Sequence, residues 1–125
     1  METKTSKGKE IRIPGPDHPI TISTAEGKVR VTVAGREIVT IEGLGARDRP
    51  HPLQAAFLDE QAGQCGYCLA GILICAKALL DRNPSPSRVQ IAEALDDNIC
   101  RCGSHNRILR AVERGAARMR DGASR

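Results

Sequence analysis

All five cysteines of the chain lie between residues 65 and 102, and four of them form two close pairs, Cys65/Cys68 and Cys100/Cys102. The pattern reads C-x2-C-x31-C-x-C. Close pairs present thiolates to a metal at little entropic cost, because each short loop is nearly closed before anything binds. Four thiolates suit a 2Fe-2S cluster, and they also suit a structural zinc ion. Zinc knuckles usually offer two C-x2–4-C loops, so a C-x-C pair fits zinc less well. A disulfide framework is the third reading. An odd cysteine count and a first stretch, Met1 to Lys9, with no apolar core argue against it, since such frameworks belong to exported chains.

The residues between the pairs are as informative as the pairs. Leu69, Ile72, Leu73, Ala76, Leu79 and Leu80 recur at helical spacing. Asn83-Pro84-Ser85-Pro86 ends that helix and turns the chain. Ser87 followed by Gln90 is a capping-box signature, and a second helix runs through Val89, Ile91, Ala92 and Leu95 to about Asp97. Helices of about a dozen and about ten residues, rising ~1.5 Å per residue, go out and return over similar lengths. The hairpin they form brings Cys68 and Cys100 to one end and closes a four-thiolate site. Upstream, Pro52 suits the first position of a helix carrying Leu53, Ala56, Phe57 and Glu60. Downstream, Ile108, Leu109, Val112 and Ala116 predict a last helix from about Asn106 to about Met119. The expected fold is mainly α. A four-helix domain covers residues 45–120, its metal site lies at the loops joining helices one to two and three to four, and a short tail follows at 121–125.

The N-terminal part reads differently. Residues 1–10 are polar and are expected to form a disordered tail. Ile11 to Thr24 holds Pro14, Pro16 and Pro19, which favours an extended, irregular segment, although Ile20, Ile22 and Thr24 alternate as a short strand does. Lys28 to Val33 is an alternating strand, Ala34-Gly35 a turn and Glu37 to Ile41 a second strand. The expectation is a β-hairpin, with Val29, Val31 and Val33 on one face, inside an extension over residues 11–44. Gly43 to Pro50 then serves as a connector. Two strands alone are marginal, so this hairpin must lean on the helices or on another subunit.

The chain of 125 residues admits one domain, or a small domain plus an extension. Its net charge is +4, but one Tyr, one Phe and no Trp leave little for base stacking, so nucleic acid is not an expected partner. No apolar run approaches the ~20 residues that span a bilayer, and no membrane partner is expected. Reduced cysteines point to the cytoplasm, or to the periplasm only if an exported partner carries the chain there.

Three stretches carry a resemblance: Gln64-Cys-Gly-Tyr-Cys68, Ala76-Lys-Ala-Leu-Leu-Asp-Arg-Asn-Pro84 and Asn98-Ile-Cys-Arg-Cys-Gly103. They resemble the 2Fe-2S-binding helical domain of the molybdenum hydroxylase (xanthine dehydrogenase) family. Thr40-Ile-Glu-Gly-Leu44, His51-Pro-Leu-Gln54 and Asp59-Glu-Gln61 are similar to flanking parts of its small iron–sulfur subunits, most of all those of isoquinoline 1-oxidoreductase and nicotinate dehydrogenase. The resemblance covers about Val39 to Gly115. It implies a four-helix 2Fe-2S-binding domain with an N-terminal β-hairpin extension. It also implies a role as the electron-transfer subunit beside a molybdopterin cofactor on a separate large subunit. Cys65, Cys68, Cys100 and Cys102 would be the iron ligands, and Gln64 and Cys102 would lie against the pterin. Backbone N–H groups of Gly66-Tyr67 and Arg101 would help to set the potential of such a cluster. Family small subunits begin with a plant-type ferredoxin domain bearing a second cluster, whereas no cysteine precedes Cys65 here. The segment 11–44 is therefore expected to be a truncated or replaced ferredoxin domain, and the electron acceptor stays open. The alternatives are a stand-alone 2Fe-2S carrier and a structural zinc module.

The remaining candidates read more plainly. Cys75, inside an apolar helix run, is expected to be a buried thiol acting as a small hydrophobe. Tyr67 is either core or a shield over the thiols. Rieske-type ligation needs two histidines near the loops; His105 stands alone there and reads as a surface or interface residue, and nothing marks His18 or His51 as ligands. Arg101, Arg107, Arg110, Arg114, Arg118, Arg120 and Arg125 read as a solvated helix face, with pairing to an acidic partner as the alternative. Asp59/Glu60 and Asp96/Asp97 are neighbours that point in different directions on a helix and make poor acid–base pairs. No nucleophile–base set and no phosphate loop is present. No catalytic site is expected on this chain, and substrate chemistry is assigned to a partner.

Overall fold

The computed structural model describes residues 8–13, 20–25, 28–33 and 36–123. The chain divides at the Leu44/Gly45 junction into two compact units. The tail expected over residues 1–7, the prolines at 14, 16 and 19 and the turn at Ala34-Gly35 lie outside the described residues, as does the side-chain facing of Val29, Val31 and Val33.

The first unit holds β1 (Gly8–Ile13), β2 (Ile20–Ala25), β3 (Lys28–Val33), β4 (Arg36–Ile38) and a short helix, α1 (Ile41–Leu44). The strands form one antiparallel sheet in chain order. The β3–β4 register pairs Val31 with Ile38 and Val33 with Arg36. Two further strands thus stand beside the pair expected from residues 28–41, and Gly8 to Glu10 belong to β1 rather than to a tail. A lone hairpin leaves both of its edges unpaired, and β2 and β1 extend one of them into a sheet. The second strand also ends early. Gly43 N–H donates to the Thr40 carbonyl at 3.0 Å, and Ile41 opens a helix instead of continuing β4. The Glu42 carboxyl is held below its ordinary range by its own backbone N–H and by the Thr40 hydroxyl. A negative group there suits a helix start.

The second unit carries α2 (Pro52–Asp59), α3 (Leu69–Arg82), α4 (Arg88–Ala94) and α5 (His105–Ala123). Pro52 occupies the first turn of α2, as expected. His51 caps it: Nδ1 accepts the Leu53 N–H at 3.2 Å, while Gln54 Oε1 accepts the His51 N–H at 2.9 Å. Burial, followed by the charge of Lys77, lowers the His51 pKa against a smaller opposing effect of Asp81, which favours the neutral imidazole that can accept at Nδ1. At the other end Gln61 takes a left-handed conformation with φ 48°, and the Ala62 N–H reaches the Phe57 carbonyl at 3.0 Å, which satisfies an orphan carbonyl of the last turn.

α2 packs chiefly along α5. Leu53, Ala56 and Phe57 are buried on one helix and Ile108, Ala111, Val112 and Ala116 on the other. The approach is tight at Gly115, where an added Cβ would stand 2.7 Å from Leu53 Cδ1. Polar ties flank this seam. Glu60 receives Arg114 at 2.9 Å and Arg110 at 3.3 Å, and Asp59 receives Arg118. The arginine face of α5 is therefore partly engaged within the chain rather than simply solvated. Asp59 and Glu60 serve as its acceptors.

Ser87 caps α4, with the reciprocal Gln90 contact that the sequence predicts. The helix hairpin is less even than expected, however, with 14 residues in α3 and 7 in α4. Leu95 N–H donates to the carbonyls of Ile91 and Ala92, and Asn98 N–H to Leu95 O at 2.8 Å. This tightening ends α4 at Ala94, short of Asp97, and a turn rather than a helix returns the chain to Cys100. α5 runs on to Ala123, so residues 121–123 are helical and not tail. Among the described residues, no helix is long and apolar enough to cross a membrane.

Candidate metal centre

Each cysteine loop ends on a helix. Cys68 is the residue before α3, and Cys100 and Cys102 precede α5. Each loop is closed by a turn: Leu69 N–H donates to Gly66 O at 3.2 Å and Gly103 N–H to Cys100 O at 3.1 Å. Each also contains one glycine in the left-handed region, Gly66 at φ 85° and Gly103 at φ 74°, where a Cβ would cost strain.

The structure brings the four thiols together as two hydrogen-bonded pairs, Cys65 with Cys102 and Cys68 with Cys100. Each pair takes one thiol from each loop. Backbone amides converge on the sulfurs. The Tyr67 N–H lowers the Cys65 pKa, helped by the Cys102 thiol. The Ser104 N–H lowers that of Cys100 against partial burial, with help from the Cys68 thiol and the Cys102 amide. Burial pushes the Cys68 thiol up, and its shared proton and charge repulsion with Cys100 add to this. At Cys102 the Cys65 amide pulls the pKa down, but the Cys65 thiol, burial and the neighbouring thiolates outweigh it and the net shift is upward. One partner in each pair is thus the first to ionise to the thiolate, the form that binds metal.

Amide donors aimed at sulfur are what a thiolate-held cluster requires. Two thiol pairs match the two thiolates that a 2Fe-2S cluster takes on each of its irons. The donor set therefore fits a 2Fe-2S cluster.

The other sequence candidates fall as follows. Gln64 is exposed beside Cys65. Tyr67 is 97% exposed, so it is not core, and its amide rather than its ring engages the site. His105 is exposed at the start of α5. Cys75 is half-buried rather than buried, and its sulfur accepts from Asn98 Nδ2 at 3.5 Å. Ser104 and Asn98 were not singled out by sequence reasoning. Ser104, directly before α5, carried the ordinary signal of a helix cap. A cavity of about 460 Å³ lies beside the second loop, lined by Ile72, Leu95, Asn98, Ile99, His105 and Ile108 among others.

A profile of the 2Fe-2S binding domain matches residues 40–113, more than half of the chain. The chain belongs to this family. It is 61% identical over 83 residues to a nicotinate dehydrogenase subunit from Pseudomonas putida, a match covering 66% of this chain and 53% of that protein. It is 50% identical over 84 residues to the alpha subunit of isoquinoline 1-oxidoreductase from Brevundimonas diminuta, covering 67% of this chain and 55% of that one. The chain thus spans about half the length of these curated relatives. Among solved structures, the aldehyde oxidoreductase of Desulfovibrio desulfuricans superposes with a TM-score of 0.66 at 41% identity, over 73% of this chain and 10% of that one. These relatives tie the family's 2Fe-2S binding to small subunits of the molybdenum hydroxylase group.

Proposed function

We propose that the chain is the electron-transfer 2Fe-2S subunit of a molybdenum hydroxylase, taking electrons from a molybdopterin centre on a partner large subunit. The observation that carries this is the convergence of Cys65, Cys68, Cys100 and Cys102 in two amide-supported thiol pairs. In this reading those four are the iron ligands, held by the four-helix array of the second unit, and the cluster supplies one-electron transfer when bound. The chain's own residues do the positioning. Gly66 and Gly103 shape the loops, and the Tyr67, Ser104 and Cys102 amides fix sulfur orientation and favour the anionic form. Gln64 and Cys102 face the pterin.

Partner docking is supported by Tyr67 at 97% and Ile99 at 79% exposure, two large apolar side chains that flank the thiols and lack cover. No side-chain set on this chain is proposed to transform substrate. The names of the nicotinate and isoquinoline relatives support a nitrogen heterocycle as the substrate of the assembled enzyme. The extension over residues 11–44 is proposed to stand where family members carry the rest of a ferredoxin domain. We place the assembly in the cytoplasm, where free thiols stay reduced.

Anaerobic purification with iron, acid-labile sulfide and zinc analysis, followed by EPR after dithionite reduction, tests this reading. The expected result is about two irons and two sulfides per chain with a rhombic S = 1/2 signal, and co-purification with a large molybdenum subunit when the two are co-expressed. About one zinc without iron would overturn it in favour of a structural domain. A cluster in a chain that never binds a large subunit would leave a stand-alone carrier.

A further inference from the structure

We propose that Asn98 is a positioning residue that latches the Cys100/Cys102 loop to α3, the helix that follows Cys68, with Cys75 and Gly71 as its seat. Two observations carry this. Asn98 Nδ2 donates to Cys75 Sγ at 3.5 Å across 23 residues of chain. Asn98 Oδ1 also lies so close to α3 that a Cβ on Gly71 would stand 3.2 Å from it. Gly71 and Cys75 are one helical turn apart on α3 and form one face. The half-buried Asn98 amide occupies the space that the missing side chain at 71 leaves open, and the sulfur at 75 gives it an acceptor.

The latch has a purpose because of what adjoins it. Asn98 stands two residues before Cys100, and its own N–H is tied to Leu95 O at 2.8 Å. The turn after α4 is therefore gripped at Asn98 by both backbone and side chain, just before the chain delivers its second cysteine pair. Across the latch is α3, preceded directly by Cys68, the thiol that pairs with Cys100. Asn98 thus joins the two sides of one thiol pair from behind. Cys75 has its role here as an acceptor and not as a fifth ligand. The purpose given to the latch rests on reading Cys100 and Cys102 as ligands, but the latch itself does not.

Cysteine-resolved alkylation of the full metal-free chain, followed by mass spectrometry, tests it, with each rate divided by that of the same cysteine in the urea-unfolded chain. Asn98→Ala is expected to raise the normalised labelling rate of Cys100 roughly five- to tenfold, the scale of one lost hydrogen bond in a local opening equilibrium. Cys75→Ala should do the same, Cys75→Ser should restore the wild-type rate by keeping an acceptor, and the Asn98→Ala/Cys75→Ala double variant should be no faster than either single. Gly71→Ala gives a readout that a general loss of stability would not. Alanine favours the helix but crowds Asn98, so Cys100 labelling should rise while the Tm stays level or increases. Unchanged Cys100 labelling in Asn98→Ala, or additive effects in the double variant, would overturn the latch. On chains loaded with iron and sulfide, the same variants should lose cluster to a chelator faster than wild type. A wild-type chain that takes up no cluster would sink the iron–sulfur reading, while the labelling series would still decide the latch.

Discussion

The two cysteine loops are built from the same parts and held in different ways. Both close with a turn, both use one left-handed glycine, both lead into a helix, and each gives one thiol to each pair. The first loop lies on the surface, with Cys65, Gly66 and Tyr67 all exposed. The second is anchored: Cys100 is 6% and Ser104 9% exposed, and Asn98 grips the approach to it. The difference lies in the loops and not in the helices behind them, since Ile72 and Ile108, each the fourth residue of its helix, are 1% and 2% exposed. Equal contributions of ligand type do not require equal contributions of rigidity, and here one loop is the fixture to which the other is brought.

That contrast should vanish at the metal. Cys65→Ser, Cys68→Ser, Cys100→Ser and Cys102→Ser are each expected to take iron from about two per chain to near none, with Cys75→Ser keeping its cluster. Metal analysis showing full loading of any one of the four variants would remove that cysteine from the ligand set. The helices behind the loops should not differ. Ile108→Ala and Ile72→Ala, at 2% and 1% exposure, are each expected to cost about 2–5 kcal/mol in urea unfolding. A much cheaper Ile72→Ala would move the contrast from the loops to the helices.

The glycines supply a matched control. Nothing lies within 4 Å of a Cβ added at Gly66 or Gly103, so Gly66→Ala and Gly103→Ala should each cost only the backbone strain of about 1–2 kcal/mol. The smallest effect is a pH ordering in the metal-free chain. Cys65 is lowered and Cys102 raised from the ordinary value of 9.0. A lowered pKa means more thiolate at any pH below that value, so alkylation of Cys65 should set in at lower pH than that of Cys102. The reverse order would show that the Tyr67 amide does not favour the Cys65 thiolate.

Much of the second unit was legible because its signals are local. The cysteine spacing, Pro52 at a helix start, the Ser87/Gln90 box and the apolar period of α3 all act within a few residues. The misreadings came where a local signal met a competing one. Ile41 continues a β pattern, but the Gly43 N–H turns back to the Thr40 carbonyl and a helical turn replaces the strand. Leu95 continues the apolar period of α4, yet the chain tightens there to come back to Cys100. His51 was readable in principle, since a glutamine three residues on and a proline next to it mark a capping box, but histidine is an unusual cap. Asn98 and the acceptors of the α5 arginines had no signal in one dimension. Their partners lie 23 to 59 residues away in the chain, and only folding brings them together.

Gly115 shows how far such a contact can reach. Its missing side chain is filled by Leu53, so α5 meets α2 as a notched rod meets a pin. Sliding α5 along its axis would force Leu53 out of the notch. The start of α5 lies roughly 15 Å away, at ~1.5 Å per residue, and the second pair of cysteines is carried on that end. The notch is thus one lengthwise stop, at a residue that touches no sulfur, on the helix that carries the second loop.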